Sequence, residues 1–166
     1  MVNVRKIKAE DAAGFIALNQ ELAKETKLMM RELEECITDV AVVEKMIESF
    51  HKKGDFFYVA EVNEKMIGFT MAMKESLNRT KHRAYVVIGI RQAYQGQGIG
   101  GRLFDQLDKW AHEQSLRRLE LTVMVHNEVG IALYEKKGFM VEGVKKDSMC
   151  VDGEYVDEYY MGRILE

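Results

Sequence analysis

Four glycines in six positions, Gly96, Gly98, Gly100 and Gly101, stand between an apolar run at residues 85–90 and an amphipathic run at residues 102–114. That order predicts a strand, a glycine-rich turn and the start of a helix. Glycines there allow positive φ and a close approach of the backbone to a ligand, and the unpaired N–H groups of a helix's first turn attract anions. The first expectation is therefore a ligand that bears phosphate.

Spacing separates the phosphate-binding patterns that could claim these residues. A P-loop needs Lys followed by Ser or Thr after its last glycine, and the chain has Arg102-Leu103. Gly96, Gly98 and Gly101 satisfy the Gly-x-Gly-x-x-Gly of dinucleotide folds, and Glu120 falls near the distance of about 20 residues expected of a ribose-binding acid. Against that reading, residues 91–95 intervene between strand and turn, and Glu120 sits inside the strand-like Leu119-Glu120-Leu121-Thr122-Val123. The remaining chain is also short for a second half of a doubly wound domain.

The third pattern is Gln-x-x-Gly-x-Gly, present as Gln95, Gly98 and Gly100. About thirty residues on, Asn127-Glu128-Val129-Gly130-Ile131-Ala132-Leu133-Tyr134-Glu135-Lys136-Lys137-Gly138-Phe139 follows. Together these resemble the acetyl-CoA signature and the Asn-x-x-Ala-x-x-Leu-Tyr-x-x-x-Gly-Phe segment of the GCN5-related N-acetyltransferase (GNAT) family, with a small shift in where the alanine falls. The resemblance runs over residues 84–162, and the tail after Phe139 is similar to the branch that acetylates small amines, amino acids or protein N-termini. It implies an α/β (α+β) fold, a single domain over residues 1–166 with a mixed, mostly antiparallel twisted sheet flanked by about four helices.

The bulk numbers agree with one ordinary globular domain: 166 residues, 47% hydrophobic and 31% charged. No apolar run approaches the ~18 residues of a membrane span, and the start Met1-Val2-Asn3-Val4-Arg5-Lys6 has no apolar core after it, so the reading is cytoplasmic with no membrane partner. A net charge of −3 gives no footprint for nucleic acid, and Arg117-Arg118 and Lys145-Lys146 read as solvated surface. Cys36 and Cys150 are too few and too far apart for a metal cluster and read as reduced thiols. Dimerisation through the C-terminal strands stays open. Proline is absent, so tight turns should rest on Gly, Asn or Asp.

Along the chain, residues 2–7 alternate as a strand and residues 10–25 read as a helix, with Ala13, Ile16 or Ala17, Gln20 and Ala23 or Lys24 along less clear faces. Thr38 suits the N-cap of a helix running to about residue 52, with Val42, Met46, Ile47 and Phe50 on its apolar side and Gly54 as its stop. Residues 27–37 lack a period and read as a loop, where Met29 and Met30 either fill the core or line an adaptable pocket. Two β-rich runs flank Asn63-Glu64 as a hairpin, and residues 83–90 form the strand before the glycines. A helix at 101–114 carries Leu103, Leu107, Trp110 and Ala111 on one face. A strand at 119–125, a helix at 128–137 closed by Gly138, and two strands turning at Asp152-Gly153 complete the chain.

The expected chemistry is transfer of an acetyl group from acetyl-CoA, with no metal, to the primary amine of a small molecule such as an amino acid. The pyrophosphate would lie on the backbone of Gln95, Gly96, Gln97, Gly98, Ile99, Gly100 and Gly101. By the resemblance, the pantetheine arm pairs with Ile88, Gly89 and Ile90, Asn127 bonds that arm besides capping its helix, and Tyr134 protonates the leaving thiolate. A phenol of pKa about 10 keeps its proton at pH 7 and can give it to a thiolate of comparable basicity. The family's glutamate on the strand before the turn has no counterpart, because Ala84-Tyr85-Val86-Val87-Ile88-Gly89-Ile90 contains no acid. Glu61, Glu120, Asp157 and Glu158 are the remaining carboxylates to weigh as base, each more readily read as a surface or ion-pair group, beside a chain of waters. His82 reads as an exposed histidine. Two alternatives remain, acetylation of a protein N-terminus or a polyamine, the latter drawn from Glu32, Glu34 and Glu35, and a non-catalytic acyl-CoA-binding regulatory module.

Overall fold

Eleven regular elements account for most of the chain in a computed structural model that describes residues 1–166. In order they are β1 (Asn3–Lys6), α1 (Ala12–Glu25), α2 (Val40–Lys53), β2 (Phe56–Val62), β3 (Lys65–Lys74), β4 (Arg83–Ile90), α3 (Ile99–Glu113), β5 (Arg118–Met124), α4 (Glu128–Lys136), β6 (Met140–Val151) and β7 (Glu154–Ile164). The strands form one seven-stranded sheet in the order β1-β2-β3-β4-β5-β7-β6. Pairs β1–β2, β2–β3, β5–β7 and β6–β7 are antiparallel, and β4–β5 is parallel. The mixed, mostly antiparallel sheet with four helices is the expected fold class, and it is not the parallel sheet that a doubly wound dinucleotide domain requires. No helix is long and apolar enough to cross a membrane.

Two compact units make up the chain, Met1–Met73 with Val87–Trp110, and Lys74–Val86 with Ala111–Glu166. In the first, β2 is apolar on both faces because both are covered. Phe57 and Val59 join Ile7, Phe15, Leu18, Leu22, Val43, Ile47 and Phe69 in one buried cluster, where Phe15 meets Phe57 and Phe69 edge-on at 5.0 and 5.2 Å. Ala60 and Ile67 instead pack with Ile99 and Leu103 of α3. The α1 face is Ala12, Phe15, Ile16, Leu18 and Leu22, a wider stripe than the small and polar positions expected from the sequence. On α2 the expected Met46, Ile47 and Phe50 pack on the core, while the valine beside them is Val43 and Val42 is exposed.

Asp39, not Thr38, opens α2, its carboxylate accepting from the N–H groups of Ala41 (2.9 Å) and Val42 (3.4 Å). Gly54 ends the helix in the left-handed region at φ 70°, and its carbonyl accepts from Trp110 Nε1 at 3.0 Å. The β2–β3 hairpin turns through Asn63 and Glu64, both at positive φ, the twist that a two-residue turn needs. Glu64 and Ser115 adopt the left-handed conformation although neither is Gly, Asn or Asp.

In the second unit, β5 buries Leu119, Leu121 and Val123 on one face and leaves Arg118, Glu120 and Thr122 half-buried on the other. Arg118 departs from the solvated reading, since its guanidinium bonds Glu120 and, through both terminal nitrogens, Glu142. These contacts hold Glu142 below and Arg118 above their ordinary ranges, with the Arg118–Glu142 hydrogen bonds the largest cause for both. The β6–β7 hairpin turns at Asp152 and Gly153, both at positive φ.

Candidate active site

In the first unit, the end of β4 that leads to the glycine turn is fixed by a buried hydroxyl and by close packing. Thr70, fully buried, donates its hydroxyl to the Val87 carbonyl at 3.1 Å. A Cβ on Gly89 would stand 2.8 Å from Phe69 Cε1, 3.0 Å from Leu22 Cδ1 and 3.3 Å from Met29 Cε, so glycine is the residue that fits. The β4–β5 ladder covers Arg83, Ala84 and Tyr85 against Arg118, Leu119 and Glu120. Ile88, Gly89 and Ile90 lie beyond that paired stretch.

After Ile90, one turn of 3₁₀ helix (Gln92–Tyr94) leads to the glycines. The Gln95 amide reaches back to the Ile90 carbonyl at 3.2 Å and the Gln97 amide to the Ala93 carbonyl at 3.1 Å. Gln95 is thus a brace of the turn through its side chain, and its own N–H, expected to meet the pyrophosphate, is already given to the Gln92 carbonyl at 3.3 Å. Gly96 and Gly98 take φ of 73° and 78°, and a Cβ on either would meet nothing within 4 Å. The helical ladder of α3 begins with Arg102 N–H donating to the Gly98 carbonyl at 3.1 Å. The amides of Ile99, Gly100 and Gly101 precede that bond, so the helix does not consume them. Helix α3 starts at Ile99, two residues before the expected Gly101, which puts Gly100 and Gly101 in its first turn. Open space over Gly96 and Gly98, amides that the ladder of α3 does not consume and no carboxylate among residues 95–101 fit a diphosphate.

The second unit contributes α4. Asn127 caps it, Oδ1 accepting from the Gly130 N–H at 2.9 Å, which leaves the amide nitrogen as a donor. Lys137 closes the helix and Gly138 follows at φ 89°. Tyr134 is buried on this helix, its ring 6.1 Å from Phe139 in edge contact. Burial, and secondarily the nearby Tyr85, push the phenol well above its ordinary 10.0. It therefore keeps its proton through neutral and mildly alkaline pH.

All four candidate carboxylates are engaged. Glu61 accepts from Arg5 and Asn3, and Glu120 from Arg118. Asp157 accepts from the Asp147 N–H at 2.8 Å and from Lys146 at 3.1 Å, and Glu158 pairs with the Ser148 hydroxyl. Glu120, the ribose-binding acid of the dinucleotide reading, is thereby committed to its own strand. His82 is exposed and uses its carbonyl to accept from Arg117 and Arg118 N–H. Cys36 and Cys150 are free thiols, and no group of three or more His, Cys, Asp or Glu side chains is arranged to hold a metal. Met29 packs on the core while Met30 is exposed.

Two polar contacts near this machinery were not legible in the sequence. Arg91, at the entrance of the 3₁₀ turn, is held by Glu25 and Glu21 from α1. The Tyr85 hydroxyl shares a hydrogen bond of 2.7 Å with Thr122. Partners 66 and 37 residues apart leave no local pattern to read.

Residues 11–139 match the model of the acetyltransferase (GNAT) family. The L-amino acid N-acetyltransferase AaaT of Escherichia coli (strain K12) is 32% identical over 110 residues, 64% of this chain and 66% of that protein. The ribosomal protein uS5-alanine N-acetyltransferase of the same organism is 30% identical over 118 residues, 68% of this chain and 59% of that protein. The matches thus span less than two thirds of either relative's length. The solved GNAT acetyltransferase of Streptococcus pneumoniae superimposes with a TM-score of 0.94 at 25% identity, covering 99% of this chain and all of that one. The Salmonella typhimurium yncA structure, which holds acetyl-CoA, gives a TM-score of 0.88 at 18% identity, covering 99% and 94% of the two chains.

Proposed function

Because this chain belongs to the acetyltransferase (GNAT) family, we propose that it moves an acetyl group from acetyl-CoA to the primary amine of a small molecule such as an amino acid, acting in the cytoplasm as a single N-acetyltransferase domain over residues 1–166. One observation carries the reading. Beyond its stretch paired to β5, β4 runs into a turn with two left-handed glycines, and unconsumed amides open α3. Acetyl-CoA supplies an acetyl group activated as a thioester.

The chain's residues divide the work. Backbone N–H groups of residues 96–101 take the pyrophosphate, with Gln95 bracing the turn that presents them, and the backbone of Ile88, Gly89 and Ile90 holds the amide-bearing arm as an added half-strand. Asn127 donates its free amide nitrogen to that arm while its oxygen caps α4. As the amine attacks the thioester carbonyl, a C–N bond forms, the C–S bond breaks, and Tyr134 gives its proton to the departing thiolate. A buried phenol that stays protonated is ready for that role at neutral pH.

The amine must first lose its own proton. With Glu61, Glu120, Asp157 and Glu158 engaged, water carries that proton away. Deprotonating an α-amine of pKa about 8 at pH 7 costs roughly 1.4 kcal/mol, against nearly 5 kcal/mol for a lysine amine near 10.4. An α-amino acceptor is favoured. The similarity to an alanine N-acetyltransferase of a ribosomal protein supports a protein N-terminus as the second reading, since its acceptor is also an α-amine.

Free-thiol release from acetyl-CoA against amino acids, polyamines, amino sugars and N-terminal peptides tests this, with Tyr134→Phe alongside. Release with an α-amine, lost in the variant, is the expected result. Silence across the panel while acetyl-CoA raises Tm would replace it with the acyl-CoA-binding module.

A further inference from the structure

The cradle for the phosphates is exposed and rich in glycine, so something must hold its shape before a ligand arrives. Its entrance is fixed from α1. Glu25, the last residue of that helix, accepts from Arg91 Nε at 2.8 Å and Nη2 at 2.6 Å through one oxygen, and from the Gln92 backbone N–H at 3.0 Å through the other. Glu21 adds a contact to Arg91 Nη2 at 3.1 Å. Arg91 and Glu25 are 16% and 19% exposed, so water screens this pair less than an ordinary surface pair. Burial pushes the Glu25 carboxyl up, but the Gln92 N–H and then the Arg91 guanidinium together hold it below the usual carboxylate range.

Gln92 opens the 3₁₀ turn, and its N–H is one of the donors that such a turn leaves without an internal partner. Glu25 therefore caps that turn from a different helix. From there a continuous set of bonds reaches the glycines. Tyr94 N–H bonds the Arg91 carbonyl, Gln95 N–H bonds the Gln92 carbonyl, and the Gln95 and Gln97 amides brace Ile90 and Ala93. Leu22 and Met29, on either side of Glu25 in sequence, pack over the Cα of Gly89.

We infer that Glu25, with Arg91 as its partner, is a positioning residue for acetyl-CoA, setting the conformation of residues 90–98 before the cofactor binds. The inference rests on the cofactor reading above. Its physical basis is entropy. Without the carboxylate, a segment that includes two left-handed glycines has more conformations to lose on binding, and that loss appears as weaker affinity.

Calorimetric titration of acetyl-CoA, with steady-state kinetics and Tm, tests it on Glu25→Ala, Glu25→Gln, Arg91→Ala and Asp11→Asn. The last weakens another half-buried arginine pair, Arg5 with Asp11, in the same unit. Glu25→Ala and Arg91→Ala should weaken acetyl-CoA about tenfold, raise its KM to match, and leave kcat at saturation within about twofold. Glu25→Gln, which keeps an acceptor for Gln92, should fall between them and wild type. Asp11→Asn should lower Tm without changing affinity. Equal affinity in wild type and the Glu25 variants, or an equal loss in Asp11→Asn, would make the clamp structural only. Absence of acetyl-CoA binding by wild type itself would overturn the cofactor reading and this inference with it. Should Glu25→Ala fail to fold, Glu25→Gln against Asp11→Asn decides the matter.

Discussion

The glycine turn after β4 and the helix α4 are built on opposite plans. The turn offers backbone, is open enough that a Cβ on Gly96 or Gly98 would touch nothing, and keeps its shape through side chains that bond main-chain groups. Helix α4 offers a side chain, Tyr134, sealed by burial and held by a capped helix. Amides that no helix bond consumes suit a ligand that carries its own charge and binds by many weak contacts. A sealed phenol suits one proton transfer, because desolvation holds the proton until a stronger base appears. Damage to the first region should therefore appear in affinity, and damage to the second in rate.

The strongest test is Tyr134→Phe. Losing a positioned acid should slow turnover about 10²- to 10⁴-fold, while acetyl-CoA affinity by titration stays unchanged. An unchanged rate would remove Tyr134 from the chemistry and break the comparison at its second term. The wild-type rate should also show no alkaline loss from phenol ionisation up to its ordinary 10.0, because the folded value lies above that.

Gly89→Ala comes next and probes the strand that feeds the turn. Its new methyl would stand 2.8 Å from Phe69 and 3.0 Å from Leu22, inside contact distance of a packed core. Overpacking of this kind costs about 1–3 kcal/mol. Chemical denaturation should show that loss, and an unaltered midpoint would mean the core around Phe69 yields freely.

The sequence displays these two regions unequally. Glycine spacing, the Asn127 cap and the Tyr134 motif are local patterns, so strand, turn and helix could be placed within one or two residues. Hairpins at Asn63-Glu64 and Asp152-Gly153 were legible for the same reason, each turn occupying adjacent positions at positive φ. The start of α2 was misplaced by one residue because Thr38 and Asp39 are both good caps, and only the bonds to Ala41 and Val42 choose between them. Met46, Ile47 and Phe50 face the core as expected, and only the choice between the adjacent Val42 and Val43 went wrong. The α1 stripe was misjudged because a helix under a sheet buries a broader face than one clean period displays. Charged partners were least legible. Arg118 looked like solvated surface in Arg117-Arg118, yet it bonds Glu120 on its own strand and Glu142 on β6. Glu25 looked like the end of a helix, yet it holds Arg91 and Gln92. Long-range pairing belongs to tertiary structure, and neither residue carries a local sign of it.

Gly98→Ala sharpens the first term. Space is available for the methyl, so the cost comes from φ at 78°, about 1–2 kcal/mol for a residue with a Cβ. Acetyl-CoA affinity should fall, because the methyl projects into the open space over the turn and the relaxed backbone re-aims its amides. Turnover at saturating acetyl-CoA should survive. A fall in kcat with affinity intact would erase the division between the two regions.

Asn127 gives the smallest effect and the finest test, since it alone is asked to serve both plans. Its oxygen accepts from Gly130 N–H as a cap, while its nitrogen is the donor proposed for the cofactor arm. Asn127→Ala should cost about 1 kcal/mol of stability together with some affinity. Asn127→Asp keeps the cap, and its charge suits the positive end of a helix, so stability should hold or rise by a few tenths of a kcal/mol. It removes the donor and sets a negative charge beside the arm's acceptor, so affinity should fall. Equal affinity in Asn127→Asp and wild type would confine Asn127 to capping and leave cofactor recognition to backbone alone.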